Sequence, residues 1–137
     1  MKTHSTNYTN TFIAVADDCS TPKAEIPPTK GNTRSQANIQ FEMISNNPYK
    51  YTSDDVLFQV FAEKNGLAPS EIASAREQFF SKGQPCFRAS PLTKRYGWGV
   101  HNNAEGKIAL FARETPEYER FLGDSALKVL KAMKSSK

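Results

Sequence analysis

A chain of 137 residues with 38% apolar and 23% charged side chains has the size and make-up of one folded domain, which excludes wholesale disorder. The longest apolar run, Phe12 to Ala16, is far too short to span a bilayer, and MKTHSTNYTN lacks the apolar core of a secretory signal. The net charge of +4 is unevenly spread: residues 78–104 and 125–137 contain no acid, so the remainder is net negative, a polarity that suits attraction of an anion to one region.

From the N-terminus, residues 1–8 are expected to be flexible. TFIAVA, Thr11 to Ala16, is apolar on both parities, the pattern of a central strand covered on both faces. Asp17 and Asp18 end it. Residues 20–33, STPKAEIPPTKGNT, read as a long Pro-rich loop, extended at Ile26-Pro27-Pro28 because a residue before proline avoids helical dihedrals. It is either a wrapped loop or a partner-binding edge. From Arg34 the pattern turns helical, with Ala37, Ile39, Met43 and Ile44 on one face and a stop at Asn46-Asn47-Pro48. Alternation of Ile39, Phe41 and Met43 leaves a strand open, but length and stop signal favour the helix.

A second helix is predicted after Thr52 or Ser53. Asp54 and Asp55 fall in its first turn, Leu57, Val60 and Phe61 form its stripe, and Lys64-Asn65-Gly66 closes it. A third runs from about Ser70 to Lys82, with Ile72, Ala75 and Phe79 inward and Gly83 as its stop. Gln84-Pro85 then leaves in extended form. Arg95–His101 and Lys107–Arg113 read as a hairpin around Asn102–Gly106, with glycine where a positive φ is needed. Thr115 caps a short helix with Pro116 at its first position, Tyr118, Phe121 and Leu122 on its stripe, and Gly123 at its end. The tail SALKVLKAMKSSK admits two readings. Lysines every third residue favour an amphipathic helix, while Leu127, Val129 and Lys131 can also alternate in a strand. The sum is a single α+β domain: a small, mainly antiparallel sheet of three or four strands packed with four to five helices.

Taken together, YTNTFIAVADDC, AEIPP, QFEMISNNPYKYTSDDVLFQVFA, FFSKGQPCFRASPLTKRYGWGVHNNAEGKIALF and KAMKSSK resemble a bacterial family of uncharacterised small proteins, a domain of unknown function. The resemblance extends from about Asn7 to the C-terminus. It implies a small stand-alone bacterial protein and carries no activity, cofactor or catalytic residue with it. Functional candidates therefore come from the residues alone.

The stretch SKGQPCFRASPLTKRYGWGVH, residues 81–101, is the most chemically varied. On a regular strand, Tyr96, Trp98 and Val100 face the core, while Arg95, Gly97, Gly99 and His101 face the other way. Two glycines between a guanidinium and an imidazole would leave a trough of bare main chain, unless they admit a tightly packed helix or mark a bulge. The trough, with Arg88, Ser90 and Lys94 from the preceding loop and Asn102 beyond, is the predicted site for a small anionic molecule or an acidic protein surface. Arg88 and Arg95 would grip a carboxylate or phosphate, and His101 would tune affinity near neutral pH.

An enzyme alternative makes Cys86 a nucleophile, His101 its base and Arg88 an anion anchor. Cys19 follows two acids and is the weaker thiol. Lys82, Arg88, Lys94 and Arg95 interleave with Phe87, Tyr96 and Trp98 as in single-strand nucleic-acid binders, but a core-facing Tyr96 and Trp98 would remove the stacking platform. That leaves weak nucleic-acid binding as a second alternative, to which the lysine-rich tail would add. Asp54 and Asp55 are explained by the helix dipole, Asp17 and Asp18 are a weaker metal candidate, and His4 and His101 with two distant cysteines lack metal-ligand spacing. No metal, cofactor or membrane is expected. Cys19 and Cys86 lie far apart with no CxxC pair, so two free thiols and a cytoplasmic location are expected. Nothing in the sequence sets an oligomeric state.

Overall fold

The structure, a computed structural model, describes residues 4–29, 31 and 34–134. Four strands, β1 (Thr11–Ala14), β2 (Trp98–Asn102), β3 (Ile108–Ala112) and β4 (Lys128–Lys131), form one sheet in the order β3-β2-β1-β4. Five helices accompany it: α1 (Gln36–Asn46), α2 (Ser53–Lys64), α3 (Ile72–Phe79), which packs on α2, α4 (Pro91–Lys94) and α5 (Pro116–Leu122). The α+β class and a single compact domain are as expected. The sheet is mixed, since β1 pairs antiparallel with β2 but parallel with β4.

β1 is buried throughout, as its two-sided apolar pattern requires. On one face Ile13 joins Ala37 and Ile44 of α1, Val56 and Leu57 of α2, and Leu92 of α4. On the other, Phe12 and Ala14 meet Tyr118 and Phe121 of α5. The helix starts follow their local chemistry. Ser35 caps α1 through the Asn38 amide, and Thr52 caps α2 through the Asp55 amide while Asp55 accepts the Thr52 N–H in return. Thr115 caps α5 with Pro116 in its first turn.

The tail is a strand, not the favoured helix. A helix there would leave the second edge of buried β1 with unpaired amides and carbonyls. Instead Lys128 N–H donates to Asn10 O (3.0 Å) and Ala132 N–H to Ala14 O (2.9 Å). Of the lysines that suggested a helix face, Lys128 and Lys131 lie exposed on this outer strand, where charge discourages edge-to-edge association, and Lys137 lies outside the described residues. Arg88 covers part of the same edge: its Nε donates to Lys131 O (2.8 Å) and its carbonyl accepts from Met133 N–H (2.7 Å).

Three further local features have physical causes. Residues 4–8, expected to be loose, are tied to α2 by the buried Asp54 carboxylate, which accepts from the Thr6 amide (2.7 Å), the Thr6 hydroxyl (2.7 Å) and the Ser5 hydroxyl (2.9 Å). Residues 1–3 lie outside the described residues. The Pro-rich segment is a wrapped loop over its described part. Thr21 Oγ1 donates to Arg95 O (2.6 Å), Glu25 N–H to Tyr96 O (2.9 Å) and Asn38 Nδ2 to Pro27 O (3.0 Å). Finally, Ser90 and Pro91 start the short helix α4, so β2 begins at Trp98 and not at Arg95.

Candidate functional site

Within β2 the alternation holds. Trp98 and Val100 pack on the α1 side, with Trp98 against Phe41 (5.2 Å between ring centroids) and its Nε1 donating to Glu25 O (2.8 Å). Gly99 and His101 take the α5 side. The predicted trough is not open there. A Cβ built on Gly99 would come within 2.5 Å of Phe12 Cζ and 2.8 Å of Tyr118 Cε2, so two rings already occupy the space that the missing side chain leaves. Glycine serves close packing of α5 on the sheet rather than a ligand floor. Arg95 and Gly97 precede the strand and do not share its face. Arg95 is exposed beside the Pro-rich loop, and Gly97 (φ +79°) sits against Ala24 and the Arg113 side chain.

The other proposed trough residues are dispersed. Arg88 covers the β4 edge, and Lys94 ends α4. Asn102 is buried with its Nδ2 donating to Thr11 O (3.2 Å). Ser90 is buried and accepts the Leu92 amide while donating to Gln40 Oε1 (2.5 Å). Asp17 is paired with Lys131 Nζ at 2.7 Å. Among the described residues no group of three or more His, Cys, Asp or Glu side chains is placed to hold a metal. Tyr96 packs on the core, and Phe87 is fully buried beside Leu92.

His101 is instead built into an aromatic cluster. Its ring stacks on Phe121 (4.4 Å, 17°), and its Nδ1 lies 2.8 Å from the Tyr49 hydroxyl. Tyr49 reaches it from a left-handed backbone position, φ +59°, which a bulky residue adopts only under constraint. The Tyr49 N–H donating to Ile108 O (2.9 Å) supplies part of that constraint. Burial pushes the Tyr49 phenol up, so it stays protonated beside the imidazole.

Burial likewise holds His101 below the ordinary imidazole range, with the Asp124 carboxylate pulling the other way. A depressed folded pKa means that this contribution to stability is complete above the unfolded value of about 6.5 and is lost as pH falls through the folded value. The thermal midpoint, followed by circular dichroism from about pH 8 to about pH 5, is expected to fall more in the wild type than in His101→Gln. Parallel profiles would remove His101 from the account.

Cys86 lies elsewhere. It follows Gln84-Pro85, whose extended run leads away from α3, and its Sγ is 3.3 Å from the Tyr8 hydroxyl. Tyr8 packs with the α1–α2 side of the core, whereas Phe121 under His101 belongs to the cluster on the opposite sheet face. The Cys86–His101 pair is therefore not brought together. The Tyr8 phenol is pushed up to about 12, by its hydrogen bond to Cys86, by burial and by its electrostatic interaction with Cys86, with Arg88 acting the other way. It is no base at neutral pH. Cys19 is also a free thiol, packed beside Phe12 and Tyr118.

Cys86 does line a cleft of about 300 Å³ between α2, α3 and residues 84–90. Leu57, Val60, Phe61, Phe79 and Pro85 form its apolar walls. Gln36, Ser90 and Cys86 supply polar atoms, and Lys64 is the charged lining residue. No carboxylate lines it, and Lys64 has no ion-pair partner among the described residues. A wider hollow of about 870 Å³ adjoins it, sharing Phe61, Asn65, Phe79 and Gln84. Apolar walls with a few convergent polar groups are what small-molecule sites offer.

A family model described as a family of unknown function, DUF6157, matches residues 3–137. The chain belongs to this family. No curated protein and no solved structure matches it. No helix among the described residues is long and apolar enough to cross a membrane.

The sequence stretch around Cys86 and Ser90 runs along this cleft, but the cleft walls escape sequence reading. Val60, Phe61 and Phe79 carry the ordinary signature of helix stripes. Only the packing of α3 against α2 turns their edges into a concave surface. Tyr49 carries no local signal at all, since its role depends on a non-glycine left-handed turn after Pro48.

Proposed function

We propose that this protein binds a small amphipathic anion, without catalysis, in the Cys86 cleft. The observation that carries the reading is the lining: among the described residues, apolar walls with one ammonium, Lys64, that makes no ion pair, and no carboxylate. An apolar body would leave water against Leu57, Val60 and Phe61, while Lys64 would attract the anionic head. Gln36 offers hydrogen bonds to fix orientation. The setting of Cys86 favours binding over chemistry, because the group within reach of its sulfur is a phenol whose pKa is far above neutrality. The anionic ligand expected from the basic stretch is retained, with its seat on the other side of the sheet from Gly99 and His101.

The probe for a test is 8-anilinonaphthalene-1-sulfonate, which joins a flat apolar body to one anionic group. Saturable fluorescence enhancement is expected with the folded protein. Lys64→Glu should weaken binding by about tenfold or more through charge reversal, while Lys128→Glu on β4 leaves it unchanged. Ala89→Trp, which fills the cleft mouth, should abolish it. Absence of saturable binding, or equal weakening by both charge reversals, would overturn the proposal.

A further inference from the structure

We infer that the outer edge of β4 is a docking site for an extended acidic segment of another protein, which pairs with it as an added strand. The inference is independent of the Cys86 cleft. β4 is the last strand of the sheet, with β1 on one side and no strand on the other. Its Lys128 N–H and the Ala132 N–H beyond it donate to the β1 side. By the alternation of a strand, Lys128 and Leu130 therefore turn their main-chain groups inward, and Val129 and Lys131 turn theirs outward. At the far end of this outer line Arg88 already behaves as a pairing partner. Its carbonyl accepts from Met133 N–H (2.7 Å), and its Nε donates to Lys131 O (2.8 Å). The Val129 N–H, the Val129 carbonyl and the Lys131 N–H have no hydrogen-bond partner among the described residues. An incoming strand would continue the line that Arg88 begins.

The side chains beside the open groups define the partner. Lys131 and Arg88 lie on the edge itself, and Lys134 follows it, exposed. Arg88 and Lys134 make no ion pair among the described residues. Lys131 Nζ holds Asp17 at 2.7 Å, with both side chains more than half exposed. The hydrogen bond from Lys131 keeps the Asp17 carboxyl below the ordinary carboxylate range, and the Lys134 charge acts the same way. This edge thus already attracts a carboxylate of its own chain. Val129 and Met133 are 37% and 53% exposed and offer contact to aliphatic side chains. A cationic edge repels the same edge of a second copy, whereas an acidic strand neutralises it. Main-chain bonds supply affinity in such pairing, and alternate side chains supply specificity.

The probe is the peptide acetyl-Glu-Val-Thr-Glu-Thr-Val-Glu-amide, titrated into the ¹⁵N-labelled protein. Saturable shifts are expected at the Val129, Leu130 and Lys131 amides, with Phe61 and Lys64 of the cleft still. The same peptide with lysine for each glutamate should not bind. Lys131→Glu should weaken binding by about tenfold, and Asp17→Asn, which frees Lys131, should tighten it by about threefold. That gain is what a merely structural Asp17–Lys131 pair would not produce. Val129→Pro removes an outward N–H without touching a bond to β1, and should abolish binding. The acidic peptide N-methylated at each valine and threonine should fail on the wild type in the same way, so the result does not depend on how that variant folds. No shift at β4, equal binding of acidic and basic peptides, or binding that survives N-methylation would overturn the docking edge. So would a dimer joined through β4, seen by sedimentation without peptide and lost in Val129→Pro.

Discussion

Replacing Phe12 with alanine is expected to lower the unfolding free energy by about 3–5 kcal/mol. Phe12 is fully buried in the central strand. It stacks on Phe121 (5.0 Å, 23°), meets Tyr118 edge-on (5.2 Å) and fills the space over Gly99. Its loss opens a cavity that backbone cannot close, because β1 is fixed on both edges by β2 and β4. Urea unfolding followed by Trp98 fluorescence measures the change. A second substitution makes the result specific to the filled face. Gly99→Ala alone is expected to destabilise by about 1–3 kcal/mol through overpacking, and by clearly less when Phe12 is already alanine. Additive losses would mean that the ring does not cover Gly99, and the open trough would return.

The second large effect concerns the N-terminal segment. Asp54→Ala removes the acceptor for three donors, the Ser5 hydroxyl and the amide and hydroxyl of Thr6. Thr6 is buried, and its hydroxyl also lies 2.8 Å from Ser53 Oγ. Leaving such groups without a partner is expected to destabilise by about 3 kcal/mol and to free residues 4–8. Limited proteolysis should then trim this segment in the variant but not in the wild type, and Asp54→Asn should fall between them. Tyr8 follows directly, so release of the segment should also bare the Cys86 thiol from its hydroxyl partner. A variant within about 0.5 kcal/mol of wild type with an intact N-terminus would contradict the clip.

Much of this architecture was open to reading from residues. The two-sided apolar run made β1 central, the Thr52 and Thr115 signals lie where caps act, and Asn103 to Gly106 turns the hairpin with Gly106 at φ +77°. The tail misled because helix and strand patterns coincide over so few residues, and what decides is an unfilled hydrogen-bonding edge distant in sequence. The trough misled for a related reason. Alternation placed Gly99 and His101 on one face, but whether that face was bare depended on Phe12 and on Tyr118, whose hydroxyl accepts the Val15 amide at 2.8 Å. A glycine next to an aromatic-rich strand and a following aromatic helix is a sign of ring packing as much as of a ligand floor. The cleft was least legible, since concavity is a property of how α2 and α3 meet and has no residue pattern of its own.

The seat of the ligand is the central claim, and a ¹H–¹⁵N correlation titration with 8-anilinonaphthalene-1-sulfonate tests it most directly. Shifts confined to Gln36, Phe61, Lys64 and residues 84–90, with the Gly99 and His101 amides still, are the predicted result. Shifts gathered around Gly99, His101 and Arg95, or none at any concentration, would contradict it.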